Sequence, residues 1–127
     1  MSGAPATKKP ARTKTPAGEE APVLAAIAAI SGSDRTIGEQ LHAVIIGAAP
    51  DLSAKTWYGM PAYARDGKIV CFFRSAAKFK RRFVTLGFND SAKLDDGHVW
   101  PISYTLTKLT TTDETEITKL VKRAVSQ

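Results

Sequence analysis

The chain has 127 residues, the size of one domain, and hydrophobic residues make up 43% of it. No apolar run approaches the roughly 18 residues of a membrane-spanning helix, since the longest covers only residues 23–30. The formal net charge of +6 favours anionic partners. A single cysteine, Cys71, excludes an internal disulfide and predicts a reducing, cytoplasmic location.

Residues 1–20 are rich in proline, alanine, threonine and lysine and contain no aromatic side chain. Such a segment buries too little apolar surface to offset its ordering entropy. We therefore predict a disordered basic tail over residues 1–20 and one folded domain over residues 21–127. The tail offers a weak, salt-sensitive contact to nucleic acid or another anionic surface. Its basic residues are Lys8, Lys9, Arg12 and Lys14.

Two helices are predicted next, from apolar residues at helical spacing. The first has Pro22 in its opening turn, and the second has a cap at Ser33 or Asp34 and stops before Pro50. His42 lies beside the apolar stripe of the second helix, where a surface or partly buried histidine is the ordinary interpretation. The two stripes are Val23, Leu24, Ile27 and Ile30, then Ile37, Leu41, Val44, Ile45 and Ala48.

The strand signals begin with residues 55–59, in a region that holds all the aromatic side chains of the chain. We predict that this strand breaks at Gly59, Met60 and Pro61, because glycine and proline interrupt regular pairing. A break beside large aromatic side chains would form a concavity in the sheet.

Asp66 and Gly67 predict a two-residue hairpin turn. A regular turn places Tyr63, Val70 and Phe72 on one face of the sheet, among charged side chains. The other face is small or apolar and is the predicted core side, with Ala62, Ala64, Ile69, Cys71 and Phe73. A solvent-facing sheet surface does not need a tyrosine and a phenylalanine, so we interpret the first face as a binding surface or as one covered by a second chain.

Strands over residues 82–88 and 98–106 follow, and the first of them places Val84, Leu86 and Phe88 on one face. A last helix then begins at Asp113, with Glu116 completing a capping box. Its apolar stripe is Ile117, Leu120, Val121 and Ala124. This order predicts a two-layer α+β domain in which helices pack on one face of an antiparallel sheet.

Residues 56–63 (TWYGMPAY) and 66–73 (DGKIVCFF) resemble the YdhG-like family, a domain family of unknown function. Some of its members are labelled frataxin-like intracellular iron chaperones. The likeness covers roughly residues 21–125 and continues to the LVK string at residues 120–122. It implies helices packed on one face of a curved antiparallel sheet, and it implies no agreed chemistry.

The residues themselves predict neither a metal site nor a catalytic constellation. A zinc site needs four converging ligands, and His42, Cys71 and His98 are scattered along the chain. The acidic clusters lie in a predicted turn and a helix cap, so an iron chaperone is the least favoured function. His98 with Asp95 and Asp96 can be drawn as a base with its orienting acid, but no nucleophile accompanies them. We therefore favour a non-enzymatic domain without a cofactor.

The favoured function is a binding or carrier domain with an aromatic, basic-edged surface on its sheet. Its partner would be a small anionic or aromatic ligand, or a protein, and both a monomer and a homodimer remain open. The predicted ligand-binding residues are Trp57, Tyr58, Met60, Tyr63, Phe72, Lys78 and Arg81. The alternative is weak nucleic-acid association through the tail and the basic–aromatic segment 78–82, which adds Lys80 and Arg82.

Overall fold

The computed structural model describes residues 14–15, 18–76 and 83–126. The helices in this part of the chain are α1 (Glu20–Ala28), α2 (Ser33–Ala48) and α3 (Thr111–Ala124). The strands are β1 (Lys14–Thr15), β2 (Gly18–Glu19), β3 (Ser53–Trp57), β4 (Met60–Arg65), β5 (Lys68–Arg74), β6 (Val84–Phe88) and β7 (Ser103–Leu106).

The five longer strands form one antiparallel sheet in the order β3–β4–β5–β6–β7, and the helices pack against it. This is the predicted α+β arrangement. Val84, Leu86 and Phe88 are all buried in the core, which confirms the face predicted for β6. None of the helices within the described residues is long and apolar enough to cross a membrane.

The junction between β3 and β4 differs from the prediction. Tyr58 and Gly59 both have positive φ, of 51° and 75°, as the two central residues of a tight hairpin turn do. Met60 and Pro61 then continue as β4, paired with Trp57 and Thr56. The predicted sheet break and its concavity are therefore wrong, because the glycine turns the chain and leaves the pairing continuous.

The hairpin between β4 and β5 turns at Asp66 and Gly67, as predicted, with φ of 54° and 79°. Beyond the turn, however, the register shifts by one residue, so that Tyr63 pairs with Cys71. The additional residue is Val70, which is buried in the core beside Cys71. A β-bulge of this kind reverses the faces of the two strands relative to each other, so that Tyr63 shares a face with Cys71 and Ala62 shares one with Phe72.

The folded part of the chain begins before residue 21, the predicted domain boundary. Lys14–Thr15 pairs with Gly18–Glu19, and α1 starts at Glu20, whose side chain is buried. Pro22 lies in the first turn of α1, as expected of a residue without a backbone N–H. The rest of the predicted tail, residues 1–13 and 16–17, lies outside the described residues.

The two predicted helix caps are also displaced. Gly32, with φ of 67°, precedes α2 and makes no side-chain cap, while Asp34 accepts a hydrogen bond from the backbone N–H of Ala76. At α3 the capping box exists one turn earlier than predicted, with Thr110 as the cap and Asp113 as the third helical residue. The hydrogen bonds from the backbone N–H and the hydroxyl of Thr110 lower the pKa of Asp113.

Candidate binding face

The sheet turns one face away from the helices, and we call this the open face. Strand alternation and the cross-strand pairs define its side chains. They are Lys55, Trp57, Met60, Ala62, Phe72, Arg74, Thr85, Gly87, Ser103 and Thr105. Three of the predicted ligand-binding residues, Trp57, Met60 and Phe72, therefore share one surface, and they come from three adjacent strands.

Trp57 and Phe72 form an edge-to-face pair at the centre of the open face. Their ring centroids lie 5.2 Å apart at 84°, and both side chains are half-buried. Tyr58 extends the group from the β3–β4 turn, with its ring centroid 5.1 Å from that of Trp57 and its side chain 81% exposed. The three rings form a partly exposed aromatic surface on which a planar group can stack. Neither Trp57 nor Tyr58 lies between the helices and the sheet.

The Phe72 ring lies across β6 because residue 87 has no side chain. Gly87 pairs with Phe72, and a Cβ added to Gly87 would come within 2.5–2.8 Å of three atoms of the Phe72 ring. Ala62, on the other side of Phe72, is fully buried although it faces away from the helices. Small residues on both neighbouring strands thus hold the phenylalanine ring flat against the sheet.

The charge of the sheet is entirely positive. Strands β3 to β7 contain no acidic residue and contain the basic residues Lys55, Arg65, Lys68 and Arg74. Two of these lie on the open face, Lys55 two residues before Trp57 and Arg74 two residues after Phe72. The Nε atom of Arg74 is buried and has no hydrogen-bond partner in the described part of the chain. The sequence predicted Arg74 on the same face as Phe72 but omitted Lys55, which strand alternation from Trp57 identifies.

Tyr63 is not part of this face, and its predicted position there is wrong. The bulge at Val70 pairs Tyr63 with Cys71 instead of with Val70, and the Tyr63 side chain is 0% exposed on the helix side of the sheet. Val70, predicted for the same surface, is likewise in the core. Phe72 pairs with Ala62, so Ala62 belongs to the open face and not to the predicted core side.

A chain of three buried polar side chains crosses the core behind the open face. The Tyr63 hydroxyl lies 2.8 Å from Nδ1 of His42, and Nε2 of His42 bonds to Oε2 of Glu20. Because a carboxylate only accepts hydrogen bonds, Nε2 of His42 donates to Glu20, and in a neutral imidazole Nδ1 would then accept from the Tyr63 hydroxyl. The three residues link β4, α2 and α1. The expectation that His42 is an ordinary surface or partly buried histidine is therefore wrong.

Two ionisable groups on the helix side of the sheet have altered acidity. Burial raises the pKa of Tyr63 well above its ordinary value, with further contributions from Cys71 and Glu20. Burial also raises the pKa of the Cys71 thiol to about 12. Cys71 is a free, buried cysteine and so has little thiolate character.

The residues considered for metal or catalytic chemistry lie apart from the open face. Asp95 and His98 line one cleft of about 560 Å³, formed by the segment that connects β6 to β7 along the chain. Within the described residues, no three His, Cys, Asp or Glu side chains come together as a metal-binding group.

Most of the predicted basic contacts fall on parts of the chain that lie outside the described residues. For the ligand site these are Lys78 and Arg81. For the nucleic-acid alternative they are Lys8, Lys9, Arg12, Lys80 and Arg82. Lys14 belongs to β1, where the structure describes the backbone pairing only.

No family model, no curated protein and no solved structure matches this chain. The resemblance to the YdhG-like family therefore stays a prediction.

Proposed function

We propose that this chain is a binding module that holds a small planar anion on the open face of its sheet. The observation that carries the proposal is the half-buried pair of rings, Trp57 and Phe72, on a surface where the described strands place two charged side chains, Lys55 and Arg74. A planar group of the ligand would stack on the rings, and its anionic group would bind the cations at either end.

Arg74 is the specific anchor in this proposal. A buried N–H group without an acceptor lowers the stability of a protein, because it has lost its water and gained no partner. A bound anion would remove that penalty if the half-buried Arg74 side chain shifted enough for Nε to donate to it, and the guanidinium would retain its charge when partly desolvated. Lys55 is exposed and would contribute long-range attraction. We also propose a cytoplasmic location, which suits the free thiol of Cys71.

The test uses naphthalenesulfonate as a probe and the two tryptophan indole N–H resonances as reporters. Stacking on the open face should shift the Trp57 resonance in a saturable manner and leave in place that of Trp100, which lines the cleft formed by the β6–β7 connection. Neutral naphthalenemethanol should bind more weakly, because it lacks the charge that Arg74 and Lys55 attract.

Two variants of β5 provide the matched comparison. Arg74→Gln and Lys68→Gln each remove one positive charge from the same strand, but Lys68 lies at the other end and lines a different cleft. Arg74→Gln should weaken the sulfonate about tenfold, the effect of losing one charge-assisted hydrogen bond, and Lys68→Gln should change its affinity less than about twofold. Equal effects of both variants, or a shift of both tryptophans, would contradict the proposal. Tighter, salt-sensitive binding of oligothymidine at Trp57 would assign the face to single-stranded nucleic acid instead.

A further inference from the structure

The two edges of the sheet have different surroundings. At the β3 edge, α1 and the β1–β2 hairpin lie close to the strand. At the other edge, β7 is the last of the described strands and pairs only with β6. An unpaired edge strand presents backbone donors and acceptors that another extended segment can bind.

The hydrogen bonds between β6 and β7 show which backbone N–H and C=O groups of β7 point outward from the sheet. The N–H of Phe88 donates to the carbonyl of Ile102 at 2.8 Å, and alternation then directs the backbone of Tyr104 and Leu106 towards β6. The N–H and C=O groups of Ser103 and Thr105 point away from β6. They give this edge two donors and two acceptors in the correct alternation for a further antiparallel or parallel strand.

Two clefts flank this edge and supply apolar surface. One, of about 560 Å³, includes Val99 and Ile102, which are 87% and 52% exposed. The other, of about 570 Å³, lies between β7 and α3 and includes Leu106 and Leu120, which are both half-buried. Alternate side chains of an added strand would enter these clefts on the helix side of the sheet.

The clefts are acidic, in contrast to the rest of this basic protein. Their lining includes four carboxylates against one lysine. The carboxylates are Asp90, Asp95, Asp113 and Glu116, and the lysine is Lys108. A second copy of this chain paired through β7 would bring two acidic edges together, which like-charge repulsion opposes. The charge suits a segment that carries lysine or arginine.

We propose that the β7 edge binds an extended segment of a partner protein in which every second residue is basic. The segment would pair with the backbone of Ser103 and Thr105, and its basic side chains would enter the two clefts, where their aliphatic stems would cover the apolar lining and their charged ends would reach the carboxylates. This is β-strand addition, in which backbone hydrogen bonds supply affinity and side-chain pockets supply specificity. The surface is separate from the Trp57–Phe72 site, so the two proposals stand or fall independently.

The test uses the full chain and a fluorescent peptide of alternating valine and lysine, measured by fluorescence anisotropy. Thr105→Pro deletes one outward N–H and leaves every bond to β6 intact, because edge strands accept proline where the N–H faces outward. Thr105→Val is the matched control, since it changes the side chain and retains the N–H. Circular dichroism of both variants verifies that the fold is kept.

The expected result is saturable binding that Thr105→Pro weakens at least about tenfold and Thr105→Val changes less than about twofold. Amide hydrogen exchange at Ser103 and Thr105 should slow when the peptide is bound. A peptide with glutamate in place of lysine should not bind. Equal affinity of the proline and valine variants, or of the two peptides, would overturn the proposal. A wild-type dimer that Thr105→Pro dissociates would make the occupant a second copy and would also overturn it.

Discussion

On the helix-covered face of the sheet, the Tyr63 ring is fully enclosed and its hydroxyl is bonded to His42. On the open face, the Phe72 ring is half-buried, and a missing side chain at Gly87 holds it against the sheet. The two rings belong to the same hairpin, and a regular hairpin would place them on the same surface. The comparison shows that one additional residue in β5, Val70, places the buried ring of Tyr63 and the partly exposed ring of Phe72 on opposite faces of the sheet.

Replacing each ring by alanine should give the largest difference between the two faces. Tyr63→Ala removes a fully buried ring and leaves Nδ1 of His42 without its hydrogen-bond partner, so it should lower the free energy of unfolding by about 3–5 kcal/mol. Phe72→Ala removes a ring that is already half-solvated and should cost about 1–2 kcal/mol. Urea denaturation followed by far-ultraviolet circular dichroism measures both, and equal costs would contradict the assignment of the two faces.

The second experiment adds a methyl group to the open face. Gly87→Ala places a Cβ within 2.5–2.8 Å of the Phe72 ring and forces it to move, which should cost about 1–3 kcal/mol of stability. The cost should largely disappear in a Phe72→Ala background, so a double-mutant cycle should give a positive coupling. Gly47→Ala is the control, because nothing lies within 4 Å of its added Cβ and helical alanine is intrinsically favourable. Additive effects of Gly87→Ala and Phe72→Ala would be inconsistent with this packing.

The third experiment concerns alkaline pH, where only the helix-covered face should respond. Burial raises the pKa values of Cys71 and Tyr63 in the folded state, so the unfolded chain releases their protons first as the pH rises. Their stabilising contribution is complete below the unfolded pKa values and decreases above about pH 9 for Cys71 and above about pH 10 for Tyr63, by roughly 1.4 kcal/mol per pH unit for each group. Tyr63→Phe and Cys71→Ala should each reduce this slope. Phe72→Leu, on the open face, should leave the pH dependence of the unfolding free energy unchanged. If Tyr63→Phe or Cys71→Ala kept the wild-type pH dependence, the raised pKa of that residue would not be its cause.

Much of the candidate site follows from local patterns. Asp66 and Gly67 identify the hairpin, and the sequence predicts Phe72 on the face away from the core, whereas its reason for selecting Trp57 and Met60 is a sheet break that the structure lacks. Lys55 and Arg74 follow from strand alternation once those rings are placed. Gly87 does not follow, because a glycine in a strand has several uses and only its cross-strand partner shows that Phe72 covers it.

Local sequence patterns could not predict the buried hydrogen bonds that join Tyr63, His42 and Glu20, for a different reason. His42 is separated by 22 residues from Glu20 and by 21 from Tyr63, and both partners lie on other elements. No periodicity within α2 distinguishes a histidine that faces such partners from one at the surface. Glu20, the last residue of the predicted tail, is buried with its carboxylate bonded to His42.

The amino-acid sequence by itself determined which elements form and which side of each helix and of β6 is apolar, because periodicity and turn residues act over a few positions. The tertiary structure decided the register of β5 against β4, and with it the face on which Tyr63 and Phe72 lie. The physical reason is that register depends on the summed packing of a whole strand against its neighbours and the core. A bulge that buries both Val70 and Cys71 satisfies that packing at the loss of one regular pair.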